Sequence, residues 1–314
     1  MEDLLKFNRR KFLGSTIKLA AAVGISGIPL DVFAGRDLQL LTILHTNDTH
    51  SRIDPFPAND PKFAGMGGIA ERLNAIEKIR SEQQHVLLLD SGDFFQGTPY
   101  FNIFGGEIEL KSMSALRYDA STLGNHDFDN GADGLAKQLI HANFPLLNSN
   151  YNFSDSELNG KIENYKIFQK GEIKVGVFGI GIELKGLVDD RFVKNIYYLN
   201  PVQSANRTAE LLKKDMKCDL VICLSHLGLK YEDSKISDLK LAEQSSHIDL
   251  ILGGHTHTFL DEPLIVKNSI QKNMLIAQVG WGGIKLGRID FLFEKRTQRI
   301  RHSASTVKIS TKSS

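Results

Sequence analysis

The segment IDLILGGHTH, residues 248–257, is an apolar run that ends abruptly in two glycines and two histidines. Three further segments have the same form: LQLLTILHTNDTH (38–50), HVLLLDSGD (85–93) and CDLVICLSHLG (218–228). Continuous apolar runs of this length are typical of β-strands that are buried on both faces. The four segments therefore predict buried strands, each followed directly by polar side chains.

Segments with helical periodicity lie between these strands. GIAERLNAIEKIRSEQ (68–83) carries apolar side chains at helical spacing, and PVQSANRTAELLKKD (201–215) has a similar pattern. On the first segment the positions predicted to share one face are Ile69, Leu73, Ile76 and Ile79. Strands that alternate with helices predict an α/β architecture, in which ligands bind beyond the carboxyl ends of the strands.

The composition bounds the class of protein. The 314 residues, 41% of them hydrophobic, are enough to bury a sizeable core as one large domain or two small ones. Basic and acidic residues nearly balance, at 38 and 37. A dedicated nucleic-acid-binding protein normally has a basic excess or a basic stripe. We therefore expect no nucleic acid among the partners of this chain.

The first 34 residues have the features of an export signal. Arg9 and Arg10 precede an apolar run over 17–30, and Val32 and Ala34 occupy the −3 and −1 positions of a cleavage site. This order resembles a twin-arginine signal peptide that is cleaved after Ala34, and it predicts an exported, periplasmic protein. The alternative is a chance basic dipeptide before a short N-terminal helix. The apolar run is shorter than the ~20 residues of a membrane span, so no stable span is expected.

Polar residues that can bind metals follow the predicted strands. A lone aspartate there is usually a turn or cap residue, and a lone histidine is usually not a ligand. Several strand ends that each supply such a residue indicate a shared site. The residues are Asp48, His50, Asp93, Asn125, His126, His226, His255 and His257.

The ligand types predict the class of metal. Residues i and i+2 of an extended segment share a face, so Asp48 and His50 point the same way, as do His255 and His257. Mixed nitrogen and oxygen ligands suit Zn²⁺, Mn²⁺, Fe or Co, whereas Ca²⁺ and Mg²⁺ prefer oxygen alone. Two such ions about 3.5–4 Å apart form a clamp that is used to hydrolyse phosphate esters.

Five short motifs together resemble those of the calcineurin-like metallophosphoesterases. The wider sequence over about 37–295 is similar to the catalytic domain of the 5′-nucleotidase family. The motifs are NDTH (47–50), SGDFFQG (91–97), LGNHDFD (123–129), LSHLG (224–228) and GGHTH (253–257). The resemblance implies a single catalytic domain over 35–295 with four layers in the order α-β-β-α. Residues 296–314 would form a C-terminal tail or a last strand.

The resemblance also implies a role for each residue of the site. Attack by a metal-bound hydroxide on phosphorus would be assisted by His126, which Asp129 would orient. Asp127 occupies a position where the family often has Glu, and the resemblance assigns it no role. One ion would be held by Asp48, His50 and His257, and the other by Asn125, His226 and His255, with Asp93 bridging both.

The expected substrate is a nucleotide 5′-phosphate or another phosphate ester. Full-length 5′-nucleotidases have a second, C-terminal domain that binds the base, and residues 296–314 cannot form one. The chain either acts alone or binds a separately encoded C-terminal domain protein. Alternatives are a nucleotide-sugar or cyclic-nucleotide phosphodiesterase, and a catalytically silent, metal-loaded subunit of a split nucleotidase complex. The presence of His126 and Asp129 speaks against the silent subunit.

Overall fold

The structure is a computed structural model that describes residues 5–6, 38–294 and 299–311. The predicted signal peptide, residues 1–34, lies outside the described residues except for Leu5–Lys6. Among the described residues, no helix combines the length and the apolarity that crossing a membrane requires.

The elements alternate along the chain as the periodicity predicts. In order they are β1 (Leu5–Lys6), β2 (Leu38–Thr46), α1 (Ile69–Glu82), β3 (Val86–Asp90), α2 (Pro99–Phe104), α3 (Glu107–Ala115), β4 (Ala120–Ser121), α4 (Gly131–Gln138), β5 (Tyr151–Asn152), β6 (Tyr165–Lys170), β7 (Ile173–Ile180), α5 (Asp190–Val193), β8 (Tyr197–Tyr198), α6 (Pro201–Glu210), β9 (Leu220–Ser225), α7 (Asp238–Gln244), β10 (Leu250–Gly253), β11 (Leu264–Lys267), β12 (Asn273–Ala277), β13 (Lys285–Glu294) and β14 (Arg299–Lys308). Short 3₁₀ turns span His126–Phe128 and Leu139–His141, and a π-helical turn, Leu211–Asp215, extends α6.

Two six-stranded sheets contain most of the strands. The first has the order β1-β14-β13-β2-β3-β4, and the second has the order β11-β12-β10-β9-β7-β6. Strands β2, β3 and β4 run parallel in the first sheet, and β7, β9, β10 and β12 run parallel in the second. Strand β14 pairs along its whole length with β13, so the first sheet continues past residue 295 to Lys308.

The sheets are stacked between helices, because their central strands are apolar on both faces. In β2, Leu41 and Ile43 pack in the core between the sheets, whereas Leu44 packs under the helices. In β9, Ile222 faces the core between the sheets and Val221 faces α6 and α7. This alternation requires cover on both sides of each sheet. The predicted four-layer α-β-β-α fold is confirmed.

Helix α1 differs from the sequence prediction in one position. Leu73 is 38% exposed, whereas the preceding Arg72 is 2% exposed. Ile69, Arg72, Ile76 and Ile79 lie at i, i+3, i+7 and i+10, which is the stripe that faces the sheet. The Arg72 guanidinium fits there because Gly283 has no Cβ, which would lie 2.7 Å from Arg72 Cζ. The prediction for Leu73 was therefore wrong.

Candidate metal centre

The carboxyl ends of the parallel strands of both sheets lie at one edge of the sandwich. The segments that follow β2, β3, β9 and β10 meet there, and backbone hydrogen bonds join those after β2 and β3. Asp48 N–H donates to Gly92 O at 2.9 Å, and His50 N–H donates to Asp93 O at 3.0 Å. The structure thus brings the side chains that the sequence marks at separate strand ends into one place, as expected for parallel strands.

One group contains Asp48, His50 and His257, whose ligand atoms all lie within 4.8 Å of one another. His257 Nε2 is 3.0 Å from His50 Nε2 and 3.3 Å from Asp48 Oδ1. Nitrogen and carboxylate lone pairs therefore converge on one point. The outer face of this group is aromatic, because the Trp281 ring stacks on His257 with ring centroids 5.6 Å apart and planes 10° apart.

A second group contains Asp93, His226 and His255, again with ligand atoms within 4.8 Å. Asn125 joins it, since its Oδ1 is 2.8 Å from His255 Nδ1. Asp93 also links the two groups: its Oδ2 is 3.1 Å from His226 Nε2 and 3.9 Å from His50 Nε2.

The surroundings of His226 favour a positive charge between its Nε2 atom and the Asp93 carboxylate. Its Nδ1 donates to Ser91 O at 2.6 Å, so in the neutral ring Nε2 carries the lone pair. That Nε2 is buried without a hydrogen-bond partner and faces the Asp93 carboxylate. Burial opposes a charged ring, but Asp93 and Asp48 outweigh it and raise the pKa of His226 to about 10. Either a proton or a cation is required between two such groups.

Many residues of the centre have a left-handed backbone. Non-glycine residues rarely adopt positive φ, and such strain persists only where the surroundings enforce it. The loop-to-loop hydrogen bonds provide that enforcement. The φ angles are 48° for Asp48, 47° for His50, 55° for Asp93, 70° for His255 and 53° for His257.

Gly124 is required for space beside Asp93. A Cβ at this position would overlap the Asp93 carboxylate and would lie 2.6 Å from both Asp93 N and His226 Cε1. Glycine often serves a turn that needs positive φ. Gly124 is not among the glycines of positive φ, however, so close approach of the loop is the physical reason for glycine here.

His126 and Asp129 form a pair at the rim of the centre. The 3₁₀ turn at His126–Phe128 places them at i and i+3, with His126 Nδ1 2.8 Å from Asp129 Oδ2. The His126 ring also packs edge-on against His50, with centroids 5.4 Å apart. The hydrogen bond to Asp129, followed by the charge of Asp93, raises the pKa of His126 despite partial burial. The side chain of His126 is 37% exposed and can reach a bound molecule.

Two buried amides hold loops of the centre, and nothing in the sequence pattern marked them. Asn47 donates to Gly280 O at 2.5 Å and accepts from Val279 N–H at 3.0 Å. Gln278 accepts from Thr258 N–H at 2.6 Å and donates to Gly254 O at 2.5 Å. Each bond joins residues that are distant in the sequence, so only the tertiary structure reveals them.

The family model of the calcineurin-like phosphoesterases matches residues 41–259. The chain belongs to this family. Its membership supports a metal-dependent phosphoester hydrolase, and both ligand groups lie within the matched range.

This phosphoesterase is similar to several 5′-nucleotidases. Snake venom 5′-nucleotidase of Crotalus adamanteus is 33% identical over 287 residues, which cover 85% of this chain and 47% of that protein. Human 5′-nucleotidase is 31% identical, with 82% and 47% covered. The crystal structure of the 5′-nucleotidase precursor of Thermus thermophilus superposes with a TM-score of 0.78 at 30% identity, covering 87% of this chain and 55% of that one. The chain thus spans about half the length of these relatives.

Proposed function

We propose that this phosphoesterase hydrolyses nucleotide 5′-phosphates with two divalent metal ions. The observation that carries the proposal is the pair of ligand groups that Asp93 links, with the His126–Asp129 pair beside them. Each group contributes both nitrogen and oxygen atoms. This donor set fits ions of the Zn, Mn, Fe or Co class.

The residues divide between the ions as the resemblance implies. Asp48, His50 and His257 would hold one ion, Asn125, His226 and His255 the other, and Asp93 both. When bound, the ions supply a water of lowered pKa and neutralise charge on the phosphoryl group. The unpartnered, fully buried His226 Nε2 supports the assignment, because a cation there would satisfy it.

The chain itself supplies the proton for the leaving group. His126 Nε2 is free to contact a phosphoryl or alkoxide oxygen, because Nδ1 is occupied by Asp129. The hydrogen bond holds Nδ1–H toward Asp129 and raises the pKa of the ring, so the protonated ring carries its second proton on Nε2, from which the leaving oxygen would take it. Phe94, Phe95 and Phe128 are buried behind the loops of the centre, whereas His126 is partly exposed at its rim.

The names of the relatives support a nucleotide as the substrate, and the same chemistry accommodates nucleotide sugars and cyclic nucleotides. The alternative to a chain that acts alone is a chain whose substrate pocket is completed by a separately encoded partner, and the experiment below distinguishes the two. The His126–Asp129 pair favours a catalytic subunit over a silent one, since metal binding alone does not need it. Export by the twin-arginine route stays a proposal that rests on Arg9, Arg10 and the apolar run after them.

The decisive experiment measures phosphate release by the purified chain loaded with Mn²⁺ or Zn²⁺. Substrates are AMP, a nucleotide sugar with coupled cleavage, and an aryl phosphate. We expect AMP turnover that falls about 10²–10⁴-fold in His126→Ala, which removes the proton donor. His141→Ala, a histidine outside both groups, is the matched control and retains activity.

Each other outcome assigns a different function. Turnover of the aryl phosphate but not of AMP places nucleotide specificity in a partner chain. Absence of turnover on all three substrates, with two ions bound, contradicts the catalytic proposal and favours the silent subunit.

A further inference from the structure

Asp127 lies between His126 and the buried Phe128, and the proposed chemistry gives it no task. Asp127 is 1% exposed, and its side chain accepts hydrogen bonds only from the backbone. Oδ2 accepts from Asp93 N–H at 2.9 Å and from Gly124 N–H at 2.8 Å. Oδ1 accepts from Phe94 N–H at 3.0 Å and from Phe95 N–H at 3.1 Å.

The four donors belong to two loops that carry proposed ligands. Asp93, Phe94 and Phe95 follow β3, and Gly124 precedes Asn125 after β4. The loop after β3 has φ of 85° at Gly92 and 55° at Asp93, so its amides cannot join a regular strand or helix. Buried N–H groups without a partner are costly, and hydrogen bonds to a carboxylate are stronger than those to a neutral acceptor.

The connections continue from these loops to a third. Asp93 O accepts from His50 N–H, and Phe94 O accepts from Ser51 N–H at 2.9 Å. A further bond joins the loop after β4 to the loop after β3, since Asp93 Oδ1 accepts from His126 N–H at 2.8 Å. The three ligand loops of the first sheet are therefore one hydrogen-bonded unit with the Asp127 carboxylate at its centre.

We propose that Asp127 is a positioning residue that assembles this half of the metal centre before any ion binds. It fixes the left-handed backbone of Asp93 and the distance between Asp93 and Asn125. The inference rests on the proposed metal ligands but not on any particular substrate.

Only a carboxylate matches the four donors. Its two oxygens offer about four lone pairs, and here all four are used by N–H groups. An asparagine would present an NH₂ group to two of these donors, which would lose two hydrogen bonds and add repulsion. A glutamate would keep both oxygens but place them one methylene farther from the backbone.

The first test is metal binding to the full chain, freed of metal and titrated with Mn²⁺ or Zn²⁺ in a calorimeter. We expect Asp127→Asn to lower the affinity about 10–100-fold, the range found when residues that orient ligands are removed. Asp127→Glu is expected to lie between Asp127→Asn and the unaltered protein. The control is Asp133→Asn, an exposed carboxylate that pairs with Lys137 at 3.0 Å, and it should bind normally.

Metal affinity within twofold of the unaltered protein in a folded Asp127→Asn variant would overturn the inference. If Asp127→Asn does not fold, hydrogen exchange on the unaltered protein tests the inference instead. Hydrogen exchange on the unaltered, metal-free chain should show slow exchange at the amides of Asp93, Phe94, Phe95 and Gly124. Exchange at these amides as fast as in exposed loops, with slowing only after metal is added, would show that the ions assemble the loops instead.

Neither measurement uses phosphate release. A chain that hydrolyses none of the tested esters but shows protected amides and weakened metal binding in Asp127→Asn would sustain this inference while the proposed function failed. The reverse pattern would sustain the proposed function alone.

Discussion

The two sheets contribute different halves of the centre. The first sheet supplies the candidate oxygen ligands and His50 on buried loops that are hydrogen-bonded to one another, and Asp48 is fully buried. The second sheet supplies imidazoles alone, of which His226 is fully buried but His257 is 38% exposed. Asp127 ties the first half by four backbone bonds, whereas Gln278 ties the second by fewer contacts. The difference lies in burial and charge: the first half holds the buried carboxylates, and the second half has an outer histidine that is open to solvent.

The strongest way to break this comparison is to remove Asp93, the residue that links the two groups. Asp93→Ala deletes the proposed shared ligand, so we expect loss of both ions and a fall in turnover of about 10³-fold or more. Metal content and phosphate release measure the effect. Asp93→Asn keeps the shape and one oxygen and should retain more metal. A full complement of two ions in Asp93→Ala would show that the halves bind independently.

Two of the three histidines of the second half offer a sharper test of burial. His226→Ala leaves a cavity and an uncompensated Asp93 charge, and we expect the metal-free protein to lose about 2 kcal/mol or more of unfolding free energy. His257→Ala removes a partly exposed ring and should cost less than about 1 kcal/mol. Urea denaturation of both variants gives the comparison. Equal losses would mean that burial does not distinguish the two histidines.

The smallest expected effect concerns a carboxyl group behind the second half. Asp238 accepts from Ser225 Oγ at 2.5 Å through Oδ1, but its buried Oδ2 has no hydrogen-bond partner, in contrast to Asp127. Burial raises the pKa of Asp238 from 3.8 to about 8. Between these values the unfolded chain releases a proton that the folded chain keeps, so stability falls as pH rises through that window.

Asp238→Asn removes this titration. We expect the unfolding free energy of the metal-free protein to fall with pH more steeply than that of the variant, by about 1 kcal/mol per pH unit. Denaturation at about pH 5, 6 and 7, inside that window, measures the slopes. Parallel slopes for the two proteins would show that Asp238 is ionised in the folded state.

Periodicity and strand-end residues predicted much of this molecule. Apolar runs predicted β2, β3, β9 and β10, and the polar residues after them are the ones that the structure brings together. The local sequence pattern could not show which residues, distant in the sequence, determine whether a side chain is buried or what it binds. Arg72 replaces Leu73 on the buried face because of Gly283, which is distant in the sequence, and Asp127 is defined by donors in the loop after β3.

The left-handed backbone of the candidate ligand loops also separates what the chain needs for folding from what it needs for metal binding. Glycine adopts the conformations of His50 and His257 without steric cost, so replacing either with glycine would relax the backbone while deleting a candidate ligand. The backbone at these two positions therefore suits glycine, and only the side chain of the proposed metal centre calls for histidine.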